Sequence, residues 1–125
     1  MYFLDDLFII KSTEDTENGV SARLCCNSEH PVYLAHFPGN PITPGACLLQ
    51  TAGKLMQQKT GRPLYLKSSK NIKYLHLLVP EKGKEVCFHF SNFTEIENGC
   101  KAQLVVADDK VVYSKMSLIF SYEPL

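Results

Sequence analysis

The chain has 125 residues, 13 Lys and Arg against 13 Asp and Glu, and 45% hydrophobic residues, so its formal net charge is zero. This composition is typical of one globular domain over residues 1–125 and excludes a disordered chain. Neutrality argues against a nucleic-acid binder, and no apolar run approaches the roughly 20 residues of a membrane helix. The first ten residues lack the basic start of a secretory signal, so we expect a cytoplasmic protein.

Two Asn-Gly pairs predict β-hairpins, because both residue types tolerate a positive φ. The pair at 18–19 is expected to join strands 7–16 and 20–27, and the pair at 98–99 to join strands 85–95 and 100–107. A turn at 108–110 then leads into a strand over 111–122, and 64–78 is a further strand candidate.

One segment predicts a long helix. Thr43 supplies an N-cap hydroxyl, Pro44 suits the first helical position, and the pattern continues to about Lys59. The Thr43 hydroxyl is expected to bond the amide of Ala46, which leaves the Gly45 amide free for a ligand. One side of this helix is apolar, and the other carries Ala46, Gln50, Lys54 and Gln57. A hairpin, a central helix and a meander of about four strands predict an α+β fold with the helix packed on an antiparallel sheet.

The segment from His36 to Gly45 holds three prolines and two glycines in ten residues, which excludes regular structure. It is a stiff loop with a histidine at its head and a helix start at its tail. Such a loop suits holding a base near an anion or a carbonyl group. We therefore predict a functional site here.

The same ten residues match seven fixed positions of the pattern H-F-P-G-x-P-x-x-P-G. The chain thus resembles the bacterial 3-hydroxyacyl-acyl-carrier-protein dehydratases, which are lyases of fatty-acid or polyene-type acyl synthesis. The resemblance implies the hot-dog fold, a dimer with active sites at its interface, and no cofactor or metal. It also implies an acyl thioester substrate, carried on the phosphopantetheine arm of an acyl carrier protein or on coenzyme A.

The resemblance also implies residue roles. His36 would be the base that removes the α-proton of a 3-hydroxyacyl thioester, and the Gly45 amide would bond the thioester carbonyl. Phe37, Pro44 and Lys54 are expected to contact the substrate.

Position 50 departs from that family. Where the dehydratases place a Glu or Asp that acts across the dimer interface, this chain has Gln50. An amide exchanges hydrogen bonds but cannot deliver a proton. Lys54, where the family usually carries Gln, could affect a nearby histidine or donate a proton. Three interpretations remain: a dehydratase that uses Gln50 for positioning, a thioesterase, or a non-catalytic thioester-binding subunit. The last would form a heterodimer with a hot-dog partner, instead of a homodimer.

The charges are unevenly distributed along the chain. Residues 30–80 contain no acidic residue, and their six basic residues are Lys54, Lys59, Arg62, Lys67, Lys70 and Lys73. This stretch suits docking an acidic carrier protein, or it is an ordinary solvated surface.

Several residues of reactive type have structural interpretations. The five cysteines form no C-x-x-C pair and, with the histidines, show no zinc-ligand spacing, so we expect reduced thiols and no metal site. Cys47 is expected to be a packing residue of the helix, and His76 and His89 to be satisfied histidines of the sheet.

Overall fold

The structure is a computed structural model that describes residues 6–35, 39 and 41–125. Six strands and two helices are formed by these residues. In chain order they are β1 (Phe8–Thr16), β2 (Gly19–Cys26), α1 (Val32–Ala35), α2 (Gly45–Thr60), β3 (Tyr65–Tyr74), β4 (Glu85–Ile96), β5 (Gly99–Ala107) and β6 (Val112–Ser121). The strands make one antiparallel sheet in the order β1-β2-β4-β5-β6-β3. The predicted α+β arrangement is confirmed.

The two predicted hairpins are present, but their loops lie one residue earlier than expected. Thr16 pairs with Gly19 and Ile96 pairs with Gly99, so the two-residue loops are 17–18 and 97–98. In the second loop Asn98 has a φ of 55°, a left-handed conformation that asparagine tolerates. The asparagines therefore end the loops, and the glycines begin the strands.

The two strand-starting glycines serve close packing of backbone. A Cβ on Gly19 would lie 2.2 Å from the carbonyl oxygen of Phe90, and a Cβ on Gly99 would lie 2.0 Å from that of Phe120. Neither glycine has a positive φ. The prediction that φ determines the choice of glycine here is wrong, because the neighbouring strand leaves no space for a side chain.

The start of helix α2 also differs from the prediction. Pro44 is the N-cap, with φ −64° and ψ 148°, and no side chain caps the helix. Thr43 lies one position further out, and its hydroxyl exchanges a hydrogen bond with Tyr33 instead of capping. The expected bond from the Ala46 amide to Thr43 is therefore absent. At the other end Gly61 closes the helix in the left-handed conformation, with φ 71°.

Strand β3 corrects the predicted four-strand meander. Strands β4, β5 and β6 form a meander, but β3 pairs with β6 at one edge of the sheet, and β4 pairs with β2. Strand β3 is mostly exposed and carries Lys67, Lys70 and Lys73, which suits an edge position. The alternation of apolar residues predicts a strand but not its neighbour, since the same period fits any partner.

The core lies between helix α2 and one face of the sheet. The helix contributes Leu48, Ala52, Leu55 and Met56, which are at most 4% exposed. The sheet contributes alternate residues of its inner strands, including Phe88, Leu104, Leu118 and Phe120. Among the residues that the structure describes, no helix is long and apolar enough to span a membrane.

Candidate active site

The predicted site loop is described only in part. His36 and Phe37 lie outside the described residues, so their roles stay predictions. Before them the chain ends the short helix α1 at Ala35, and after them it is described at Gly39 and again from Pro41. The structure describes the residues that flank this loop on both sides.

A buried hydrogen bond joins the two sides of the loop. The Tyr33 and Thr43 hydroxyls lie 2.9 Å apart, and the two residues are 4% and 5% exposed. Burial raises the pKa of the Tyr33 phenol to about 12. The Thr43 amide also donates to the carbonyl oxygen of Leu78 at 2.9 Å. These contacts fix where the chain leaves α1 and where it approaches α2.

The first turn of α2 presents unpaired amides. The Pro44 carbonyl accepts hydrogen bonds from the amides of Cys47 at 3.0 Å and Leu48 at 3.4 Å. The amides of Gly45 and Ala46 have no acceptor among the described residues. The positive end of the helix dipole adds to the attraction for a negative or partly negative oxygen. The Gly45 amide is thus available for a ligand, and without the predicted Thr43 cap.

Gln50 and Lys54 lie together on the exposed side of α2. Both line an open cavity of ≈ 690 Å³ between the helix and strand β3. Its other lining residues are mostly apolar: Leu49, Gly53, Gln57, Leu64, Tyr65, Leu66, Phe120 and Leu125. Gln50 is five residues beyond Gly45, which is about 7.5 Å along the helix axis. An apolar chain could therefore lie in the cavity with Gln50 between it and the helix start.

The six basic residues of the acid-free stretch divide into two groups. The Lys59 ammonium lies 3.5 Å from the Asp15 carboxylate, and the Arg62 guanidinium stacks 3.5 Å above the ring of Tyr122. The remaining four are exposed, on the helix and on edge strand β3: Lys54, Lys67, Lys70 and Lys73.

The remaining reactive side chains have structural roles. Cys47 is buried, and burial raises the pKa of its thiol, which confirms its assignment to packing. His89 bonds Ser21 at 2.7 Å, and His76 bonds the carbonyl oxygen of Val112 at 3.0 Å. The described part of the chain holds no cluster of three potential metal ligands.

Two tyrosines near the helix start were not predicted from the sequence. Tyr33 bonds Thr43, and Tyr74 packs directly against Gly45, where an added Cβ would lie 2.3 Å from the phenol oxygen. Tyr33 could have been found from its position three residues before His36. Tyr74 carries no such signal, because only the pairing of β3 with β6 brings it to the helix.

The chain is similar to known proteins in both sequence and fold. A family model described as ApeI-like, ApeI dehydratase, matches residues 11–115. The 3-hydroxyacyl-[acyl-carrier-protein] dehydratase FabZ of Brucella ovis is 34% identical over 113 residues, which cover 82% of this chain and 71% of that protein.

Among solved structures, a chain of the dehydratase heterocomplex ApeI:P from Xenorhabdus doucetiae matches with a TM-score of 0.73 and 16% identity, over 91% of this chain and 97% of that one. The putative thioesterase yhdA from Lactococcus lactis matches with a TM-score of 0.69 and 14% identity, over 99% and 98%. At these identities the likenesses concern the fold alone, and they confirm the predicted hot-dog architecture.

Proposed function

Because this chain belongs to the ApeI-like dehydratase family, we propose that it removes water from a 3-hydroxyacyl thioester and releases the 2-enoyl thioester. The observation that carries the proposal is the Gly45 amide at the start of α2, directly after the His36 loop, which has no acceptor among the described residues. A dehydratase of this type needs a donor for the thioester carbonyl at that place. The cavity beside Gln50 offers an apolar wall for the acyl chain.

The reaction can be completed by groups of the chain. In our proposal neutral His36 takes the proton from the α-carbon, and the electron pair moves onto the thioester carbonyl, where the Gly45 amide stabilises it. The pair then forms the double bond as the bond from the β-carbon to oxygen breaks. The proton on the imidazolium passes to the departing hydroxyl, so one water leaves and His36 is neutral again.

Gln50 leaves this mechanism without a second acid. Its amide can hold the hydroxyl or a water in place, but it cannot supply the proton. In a homodimer both proton transfers therefore fall to His36. General acid catalysis is typically worth about 10² to 10⁴ in rate, so we expect a slow enzyme when the chain acts alone.

A second candidate follows from the same residue. The chain would be the acid-free subunit of a hot-dog heterodimer, in which the partner supplies a carboxylate at the shared interface. Edge strand β3 supports such pairing, because one of its sides pairs with no strand of the described residues and it has several exposed apolar residues, including Tyr65 and Leu66. The exposed lysines of β3 would then lie beside the site, where an acidic carrier protein must dock.

The test is mass spectrometry of acyl carrier-protein and coenzyme A thioesters after incubation with the protein. Loss of one water from the 3-hydroxyacyl group is the expected result, and release of the free carrier would indicate a thioesterase instead. His36→Ala is expected to lower the rate by about 10² to 10⁴. The matched control is His89→Ala, since His89 lies on the sheet and bonds Ser21. An unchanged rate in His36→Ala would exclude His36 as the base.

The role of Gln50 is tested by restoring the acid. We expect Gln50→Glu to raise turnover and to add an acidic limb to the pH profile. Gln58→Glu is the control, because it adds the same charge to the same helix away from Gln50. If Gln50→Glu gives no gain while a carboxylate-bearing hot-dog partner does, the heterodimer is the active form.

A further inference from the structure

Tyr74 lies at the start of the site helix. A Cβ built on Gly45 would lie 2.3 Å from the phenol oxygen of Tyr74, 2.5 Å from its Cζ and 2.9 Å from its Cε1. The hydroxyl end of the ring therefore occupies the place where any other residue at position 45 would put its side chain. In a helix the Cα–Cβ bond tilts toward the N-terminus, which is also the direction in which the first amides point.

The strand register fixes this orientation. Tyr74 pairs with Ser114 across β3 and β6, and paired residues project from the same face of a sheet. Ser114 is fully buried, on the same face as Met116 and Leu118 of the core. Tyr74 thus stands on the helix side of the edge strand, although 56% of it is exposed.

Two hydrogen-bond donors at the start of α2 have no partner in the part of the chain that the structure describes. The Tyr74 hydroxyl has no hydrogen-bond partner among residues 6–35, 39 and 41–125, and neither has the Gly45 amide. No hydrogen bond joins the two groups, although a phenol oxygen can accept one from an amide, so both donors remain available to a ligand. Two neighbouring donors without an acceptor are the arrangement that stabilises a developing negative charge on an oxygen atom.

We infer that Tyr74 is a second hydrogen-bond donor to the thioester carbonyl, acting beside the Gly45 amide. This inference rests on the proposed dehydration, because that reaction places an enolate-like oxygen at the helix start. The Tyr74 hydroxyl stays protonated throughout and donates a stronger hydrogen bond as the charge develops. The same contact accounts for glycine at position 45, since a side chain there would displace the phenol.

The expected effect is on the chemical step. Loss of one preorganised donor typically lowers kcat by about 10² to 10³. Because the bond strengthens in the transition state, Tyr74→Phe is expected to lower kcat and kcat/KM together and to leave KM nearly unchanged. Tyr122→Phe is the matched control, since its hydroxyl bonds Glu95 and lies outside the site.

Two measurements separate this role from others. The first is deuterium uptake from deuterium oxide into the α-carbon of a saturated acyl thioester, which requires the base and the carbonyl donors but no departing hydroxyl. Tyr74→Phe is expected to slow both uptake and dehydration. The second is the infrared stretch of an isotope-labelled carbonyl in a bound 2-enoyl thioester, expected to move toward its free frequency in Tyr74→Phe. This second readout needs no turnover.

The outcomes are distinct. Slower dehydration with unchanged deuterium uptake would overturn the inference and make Tyr74 a proton donor to the leaving hydroxyl. An unchanged rate in Tyr74→Phe with a faster rate in Tyr74→Ala would overturn it in favour of a steric gate. If the wild-type protein catalyses neither reaction, the proposed function fails. The inference then stands only if the carbonyl stretch still responds to Tyr74→Phe, and it is refuted if the stretch does not.

Discussion

The buried hydrogen bond between Tyr33 and Thr43 predicts a double-mutant cycle. Tyr33→Phe leaves the Thr43 hydroxyl buried without its partner, and Thr43→Val leaves the Tyr33 hydroxyl in the same condition. Both residues are about 95% buried, so water cannot replace the lost bond. Each single substitution is expected to lower the free energy of unfolding by about 1 to 3 kcal/mol. The double substitution removes both polar groups and is expected to cost less than the two single costs added together.

The assay is urea unfolding followed by circular dichroism, because the chain has no tryptophan. Thermal unfolding provides a check, with a shift of roughly 2 to 6 °C per kcal/mol for a chain of this size. We expect a coupling free energy on the order of 1 to 2 kcal/mol. Single costs that add up within about 0.5 kcal/mol would refute the reasoning, because additivity is the behaviour of residues that do not interact.

The same pair predicts a pH dependence. Burial raises the pKa of Tyr33 from 10.0 to about 12, so the folded state favours the neutral phenol. The stabilising contribution is complete below pH 10 and is lost as the pH rises toward 12. The total loss is roughly 3 kcal/mol, since one pKa unit corresponds to about 1.4 kcal/mol. Tyr33→Phe should lack this part of the alkaline decline, and an identical decline in both proteins would contradict the assignment.

Four further substitutions test the fold. Asp108 accepts hydrogen bonds from Tyr113 at 2.5 Å and from the amides of residues 110 and 111, which hold the pKa of its carboxyl below the usual range. Asp108→Asn is expected to cost about 1 to 3 kcal/mol at neutral pH in urea unfolding, and the difference should shrink as the wild type is acidified below pH 4. Gly99→Ala is expected to cost about 3 kcal/mol or more, because its Cβ meets backbone. A Cβ added at Gly53 would lie 3.9 Å from the ring of Phe120, an ordinary contact, so Gly53→Ala should instead stabilise the helix by up to about 1 kcal/mol. Equal effects of Gly99→Ala and Gly53→Ala would refute this account. Ser114→Ala is expected to be neutral or stabilising in thermal unfolding, because its buried hydroxyl has no partner among the described residues, and a large loss would show that it has one.

Local signals in the sequence predicted most elements of the fold. Turn residues located both hairpins, and the apolar spacing located helix α2 with Gln50 and Lys54 on its exposed side. These signals act over a few residues, so they can be read from one stretch of chain. They located the Asn-Gly turns one residue too late, because the closeness of Gly99 to Phe120 depends on the neighbouring strand β6, which lies outside the stretch that holds the turn signal.

Only the part of the site that is formed by one short segment of the chain was predictable from the sequence. The segment from His36 to Gly45 marked the helix start, and the free Gly45 amide was expected. The hydrogen bond between Thr43 and Tyr33, which replaces the helix cap, was not expected. Rules for helix caps consider only neighbouring residues, and Tyr33 lies ten residues earlier. Tyr74 was missed for a similar reason, since its place depends on β3 crossing to the edge beside β6.

The position of β3 also has a consequence for the order of folding. Strands β4, β5 and β6 are joined by short turns and can form from local contacts, whereas pairing Tyr65 with Ser121 closes a loop of more than fifty residues. Contacts of such sequence separation form more slowly than local ones, and an exposed edge strand opens more readily than the core. Because β3 carries Tyr74 to the helix start, a chain that has formed only the meander has one donor there and no neighbouring phenol. In the proposed mechanism the second donor to the thioester carbonyl is thus gained only when this long-range pairing forms, and local opening of one edge removes it while the core stays intact.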